Sequence, residues 1–92
     1  MPAPKPEDFP HLEPGRYRHF KKDPASIGVD TVYEYIVYGV SCHTETGVFE
    51  VVYTPLYGPL KGRLAHRPYA MFVETVTRDG YSGPRFTYIG PV

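Results

Sequence analysis

The stretch Val32-Tyr33-Glu34-Tyr35-Ile36-Val37-Tyr38-Gly39-Val40 decides the fold. It is dense in β-branched and aromatic residues, which suit a pleated, half-buried surface, and it reads as a central strand. Under strict alternation, Tyr33, Tyr35 and Val37 share one face, and Ile36, Tyr38 and Val40 share the other with Glu34. Both faces are largely apolar or aromatic, so the strand needs cover on both sides, as in the wall of a small barrel.

Downstream, Thr44-Glu45-Thr46-Gly47 has the chemistry of a hairpin turn, with Gly47 free to take a positive φ. Val48 to Tyr53 returns as the antiparallel partner, and Pro55 places the end of that strand near Thr54 or at a sheet edge. Gly58 to Gly62 is a second turn, followed by a short strand over Arg63 to Arg67. Pro68 presets one turn of helix or 3₁₀ helix over Tyr69 to Phe72. Val73 to Thr77 reads as another strand. Asp79-Gly80 opens a turn running to Gly83-Pro84, and Arg85 to Ile89 alternates as the last strand.

Upstream, Arg16 to Phe20 alternates as a half-buried strand, and Lys21 to Thr31, with Pro24 and Gly28, is a loop. No segment carries sustained helical periodicity, and there is no internal repeat. The expectation is a small all-β, SH3-like barrel over residues 15–92, with five or six short antiparallel strands and one 3₁₀ turn. Residues 1–14 hold five prolines and read as an extended tail whose Phe9 and Leu12 dock on the domain.

Ninety-two residues make one domain. No apolar run approaches the ~20 residues of a membrane span. The opening MPAPKPEDF has no apolar centre, so no secretory signal is expected. Cys42 is the lone cysteine, which excludes a disulfide framework and suits a reducing, cytoplasmic compartment. The formal net charge is zero, but it divides unevenly. Lys5 against Glu7, Asp8 and Glu13 gives the tail −2, which leaves +2 on residues 15–92.

Several ordered motifs resemble the domain-of-unknown-function 1653 family (DUF 1653). They are Tyr17-Arg18-His19-Phe20-Lys21, His43-Thr44-Glu45-Thr46, Val51-Val52-Tyr53 before Leu56-Tyr57-Gly58, Arg67-Pro68 before Met71-Phe72-x-Glu74, and Pro84-Arg85-Phe86. The resemblance runs from Gly15 to about Ile89 and implies an SH3-like barrel, with no reaction attached. The chain departs from the family pattern in its longer Lys22 to Val32 loop. It also has Leu64-Ala65-His66 where the family carries Leu-Trp-Val.

The candidate site residues each have two readings. His43 with Glu45 suits proton transfer or ligand contact near neutral pH, or simply the capping of a turn. Cys42 beside His43 suggests a metal, but adjacent strand residues point to opposite faces and no completing ligand spacing exists, so no metal site is expected. Arg67 and Arg85 suit a bidentate clamp on a carboxylate or phosphate, or ion pairs with Glu74 or Glu50. Tyr57 and Tyr69 would supply an apolar wall. The basic groups Arg16, Arg18, Lys21, Lys22 and Lys61, Arg63, Arg67 fit a stacking-plus-phosphate surface for a nucleic-acid strand, or ordinary solvated charge.

No G-x-S-x-G, P-loop or H-E-x-x-H motif is present. The sequence therefore points to a non-catalytic binding module without cofactor, for a small anionic ligand, a peptide or single-stranded nucleic acid. Its expected face gathers His43, Glu45, Tyr57, Arg67, Tyr69 and Arg85. The alternatives are a small enzyme using His43 and Glu45 as an acid–base pair, or a structural domain that self-associates, as a monomer or weak dimer, through a strand edge.

Overall fold

The structure, a computed structural model, describes residues 5–92. Pro2 and Pro4 of the expected extended tail lie outside the described residues. The chain forms β1 (Gly15–His19), β2 (Glu34–Cys42), β3 (Phe49–Pro55), β4 (Ala65–Pro68), α1 (Tyr69–Phe72), β5 (Thr75–Arg78), β6 (Tyr81–Pro84) and β7 (Phe86–Gly90). An antiparallel sheet runs in the order β4-β3-β2-β1-β7, and β5 and β6 form a separate hairpin. The all-β class and the central place of β2 are as the sequence indicates. No helix among the described residues is long and apolar enough to cross a membrane.

Among the described residues the strands number seven, where the sequence led us to expect five or six. The turn after β5 is only Asp79-Gly80, both at positive φ (53° and 79°), as a two-residue hairpin turn requires. Gly83-Pro84, read as the end of that turn, instead closes β6, an edge strand on which a proline removes no needed ladder bond. The turn after Pro68 is α-helical rather than 3₁₀, with Val73 N–H donating to Tyr69 O at 3.1 Å. The 3₁₀ turns lie at Pro6–Asp8, inside the tail read as extended, and at Pro24–Ser26, where the Asp23 side chain caps the Ala25 amide.

Two features of β2 break the simple alternation. The strand begins at Glu34 because Tyr33 sits at φ 60°, a left-handed conformation rare for a bulky residue. A register shift between Val37 and Gly39 then moves later residues to the other face. Val37 lies opposite Tyr53 and Val40 opposite Val51, so Val40 joins Val37 on the core side and leaves Ile36.

Glu34, expected among apolar residues, is fully buried in a charge cluster. Arg16 on β1 pairs with Oε1, and Lys22 Nζ lies 3.1 Å from Oε2. Lys22, only 3% exposed, also donates to Val32 O at 2.8 Å and to Asp30 O and Oδ1 at 3.2 Å. Burial alone would raise the Glu34 pKa, but hydrogen bonds from Arg16 and Lys22 outweigh it and hold the carboxyl below its usual value. The cluster pins the long loop between β1 and β2 to the sheet.

The core gathers Tyr17, Val37, Val51, Tyr53, Phe72 and Phe86. Phe72 of α1 stacks flat on Phe86 of β7, with centroids 4.3 Å apart and planes 4° apart. At Gly15, a Cβ would stand 2.7 Å from Gly90 O and 2.8 Å from the Tyr88 ring, so the close crossing of β1 and β7 needs glycine. One end of the sheet is covered by the tail. Phe9 packs edge-on to Phe49 at 4.9 Å, Leu12 packs on the core, and Tyr17 OH donates to Glu13 O at 2.7 Å.

Candidate functional site: an aromatic basin beside Arg67

The end of the sheet away from the tail is lined with rings. Leu56 N–H donates to Glu34 O at 3.0 Å, which carries the β2–β3 pairing one step past β3 and fixes where Tyr57 leaves it. Gly62 N–H donates to Pro55 O at 3.2 Å and folds the intervening loop back. Tyr57 then meets Tyr35 of β2, hydroxyl to hydroxyl at 2.8 Å. The two hydroxyls thus partner each other. Burial, followed by the Tyr57 hydrogen bond, pushes the Tyr35 hydroxyl pKa up. Tyr35, Tyr53, Pro55, Tyr57, Pro59 and Leu60 line a groove of about 230 Å³.

Behind the groove the buried Phe86 packs edge-on to Tyr35 at 5.4 Å and to His19 at 5.2 Å. His19 stacks on Tyr33 at 5.6 Å, and Tyr33 packs on Tyr57 at 5.5 Å. Arg67 comes from β4 and places its Cζ 5.2 Å from the Phe86 centroid, a cation over a ring face. Among the described residues Arg67 makes no ion pair. His19 feels the same surroundings. Burial first, then the charges of Arg85, Arg67, Lys21 and Arg78, lower its pKa to about 4, so it is neutral at physiological pH.

The six candidate residues separate. Tyr57 and Arg67 meet the basin. Arg85 is engaged by Glu74, with Nε 3.0 Å from Oε1 and Nη2 on the same oxygen, so the ion-pair reading describes it better than the clamp. Tyr69 lies in α1, packed against the core. His43 and Glu45 are exposed in the β2–β3 turn, with His43 about 26 Å along the chain from Tyr35 at ~3.3 Å per residue. The His43 Nδ1 accepts from the Glu45 and Thr46 amides at 3.2 and 3.3 Å, which makes it a turn cap. Glu50, suggested for Arg67, pairs instead with His66.

Sequence reasoning missed His19, Tyr33, Tyr35 and Phe86 as site residues. All four were read as ordinary strand positions, His19 also as part of the Tyr17 to Lys21 motif. No local pattern announces that β1, β2 and β7 bring them together. A second hollow of about 240 Å³ holds Ser41, Cys42, His43, Glu50 and His66. Among the described residues no three His, Cys, Asp or Glu side chains converge as metal ligands.

Comparison with known proteins agrees with this architecture. The family model described as "Protein of unknown function (DUF1653)" matches residues 15–88. The crystal structure of a DUF1653 protein from Bordetella bronchiseptica superposes with a TM-score of 0.69 at 33% identity, covering 88% of this chain and 91% of that one. A comparison with curated proteins finds no match. With four-fifths of its length matched to one family model and a solved structure of that family sharing its fold, the chain belongs to the DUF1653 family.

Proposed function

We propose that this domain is a non-catalytic binding module that holds an anionic ligand carrying a flat ring. The observation that carries the reading is the Arg67 guanidinium, half-buried, seated on Phe86 and without a carboxylate partner among the described residues. A half-buried cation supported by a ring but left without a counter-charge is ready to accept an anion from solution. The adjoining groove offers the Tyr35, Tyr53 and Tyr57 rings as an apolar wall for the ligand's ring. Lys61 and Arg63, both exposed, add positive charge to the loop that follows Leu60.

The reach of Arg67 from β4 to the Phe86 ring of β7 supports the SH3-like closure that the family resemblance implies, with the ligand at its open end. The lone Cys42 supports a reducing, cytoplasmic setting.

Amide chemical-shift mapping with millimolar uridine 5′-monophosphate tests the reading. The expected shifts fall on Tyr35, Tyr57 and Arg67. Shifts confined to the His43–Val48 turn, or none at all, would sink it.

A further inference from the structure

We propose that the Arg67 groove is one half of a longer strip that takes a single strand of nucleic acid. This deepens the binding-module reading and rests on it.

The strip is continuous. Tyr57 lines the first groove and packs on Tyr33 at 5.5 Å. Tyr33 also lines a second hollow of about 440 Å³, together with Phe20, Lys21, Arg78, Asp79 and Tyr81. Between the two, His19 stacks on Tyr33 at 5.6 Å and lies 4.5 Å from Phe20, which stacks on Tyr81 at 5.3 Å with planes 20° apart. The Phe20 amide donates to Arg85 O at 2.9 Å, which ties this end of the strip to the strand that carries Phe86.

The second hollow is lined by an Arg-on-ring pair of its own, like the Arg67–Phe86 pair beside the first groove. Arg78 Cζ stands 5.8 Å above the Phe20 ring, as Arg67 stands above Phe86. Arg67, Arg78 and Lys21 make no ion pair among the described residues. Asp79, at the exposed tip of the β5–β6 hairpin, is the one acid lining either hollow.

Tyr33 joins the two halves, and its backbone is strained. A bulky residue at φ 60° costs free energy that glycine would avoid, and such outliers cluster at functional sites. Here the strain holds a ring between His19 and Tyr57, where the strip would otherwise be interrupted.

This chemistry favours a nucleic-acid strand over a peptide. Successive rings with cations alongside match alternating bases and phosphates, and every base has a face to stack. A peptide that adds to a strand edge would bypass these rings, and a polyproline segment would stack on them but leave the unpaired Arg67, Arg78 and Lys21 without an anionic partner.

Binding of hexauridylate RNA, compared with uridine 5′-monophosphate, tests the inference. The hexamer is expected to bind at least tenfold tighter and to shift Phe20, Arg78 and Tyr81 as well as Tyr57 and Arg67. With three phosphate contacts, log K should fall against log salt with a slope of about −2, at ~−0.7 per contact. Arg78→Gln, at an exposed position, should weaken hexamer binding about fivefold or more and leave the mononucleotide unchanged. Tyr33→Gly should weaken the hexamer while relieving the strained φ; should it unfold the domain, Arg78→Gln decides.

A hexamer no tighter than the mononucleotide, with Phe20, Arg78 and Tyr81 unmoved, overturns the strand proposal and leaves the single-ligand module standing. Failure of both ligands overturns both. An acidic peptide that shifts the whole strip when the hexamer does not would also overturn it, in favour of a protein partner.

Discussion

Arg67 on β4 lies over the ring of Phe86 on β7, 5.2 Å from its centroid, although β4 and β7 are the two outer strands of a five-stranded sheet. In a flat sheet four spacings of about 4.8 Å would separate them by ~19 Å. The contact therefore measures how tightly the sheet curls. It also explains how a charge from one edge comes to sit at the mouth of a core built largely from the other strands. Fold and candidate site meet in this one pair.

The curl depends on the ring stack beneath that pair. Phe72→Ala removes a ring that is 2% exposed and stacked on Phe86, and nothing nearby is placed to refill the space. Chemical denaturation should show a loss of about 3–5 kcal/mol. A loss under 1 kcal/mol would mean that the stack does not hold the sheet ends together.

The Glu34 cluster should behave as a buried network, costly to break from one side. Glu34→Ala strands Lys22 without its main counter-charge and should cost about 3–5 kcal/mol. The paired change Lys22→Met with Glu34→Leu removes both charges and should cost clearly less than the single one. Equal losses in thermal unfolding would show that the two side chains do not act as a pair.

Acid should weaken the fold through His19. Its native pKa, about 4, lies below the ordinary 6.5, so the unfolded chain takes up this proton first as pH falls. The neutral histidine's contribution is complete above about pH 6.5 and is lost as pH falls toward 4. The slope is bounded by one proton, at most about 1.4 kcal/mol per pH unit. Asp30 and Glu34, both lowered from ordinary carboxylate values, add their losses further down. Stability measured between pH 6.5 and 4.5 should therefore flatten in His19→Gln; an unchanged slope would assign the proton elsewhere.

The tail is part of the fold where it touches the sheet. Phe9→Ala together with Leu12→Ala removes the Phe49 contact and one apolar side chain packed on the core. With Phe9 still 36% exposed, the expected loss is about 1–3 kcal/mol. Unchanged stability would make residues 5–14 a passive extension.

Much of this was legible in the sequence, for identifiable reasons. Val32 to Val40 marked the central strand because β-branched and aromatic residues have few other uses at that density. Pro68 and the Asp79-Gly80 pair marked turns because their backbone preferences are local. The face pattern of β2 was only half legible, because nothing before Gly39 signals that the strand gains a residue there. The burial of Glu34 was hidden because its partners Arg16 and Lys22 lie 18 and 12 residues away. The candidate face was wrongly gathered for a similar reason. His43 caps the turn of β2 and β3, and Arg67 lies on β4 beside β3, but the antiparallel register carries that turn to the far end from Tyr35 and Tyr57. Arg67 was picked out by its place before a proline; its seat on Phe86 follows only from the curl.

Calorimetric titration of uridine 5′-monophosphate into the native domain and into Arg67→Gln probes the role of Arg67 most directly. Glutamine keeps much of the side chain's length and removes the charge. Binding should weaken at least tenfold, the loss expected of a charge-assisted hydrogen bond, while the amide spectrum shows the fold retained. Equal affinity in the two proteins would contradict the assignment of Arg67 as the anion's anchor.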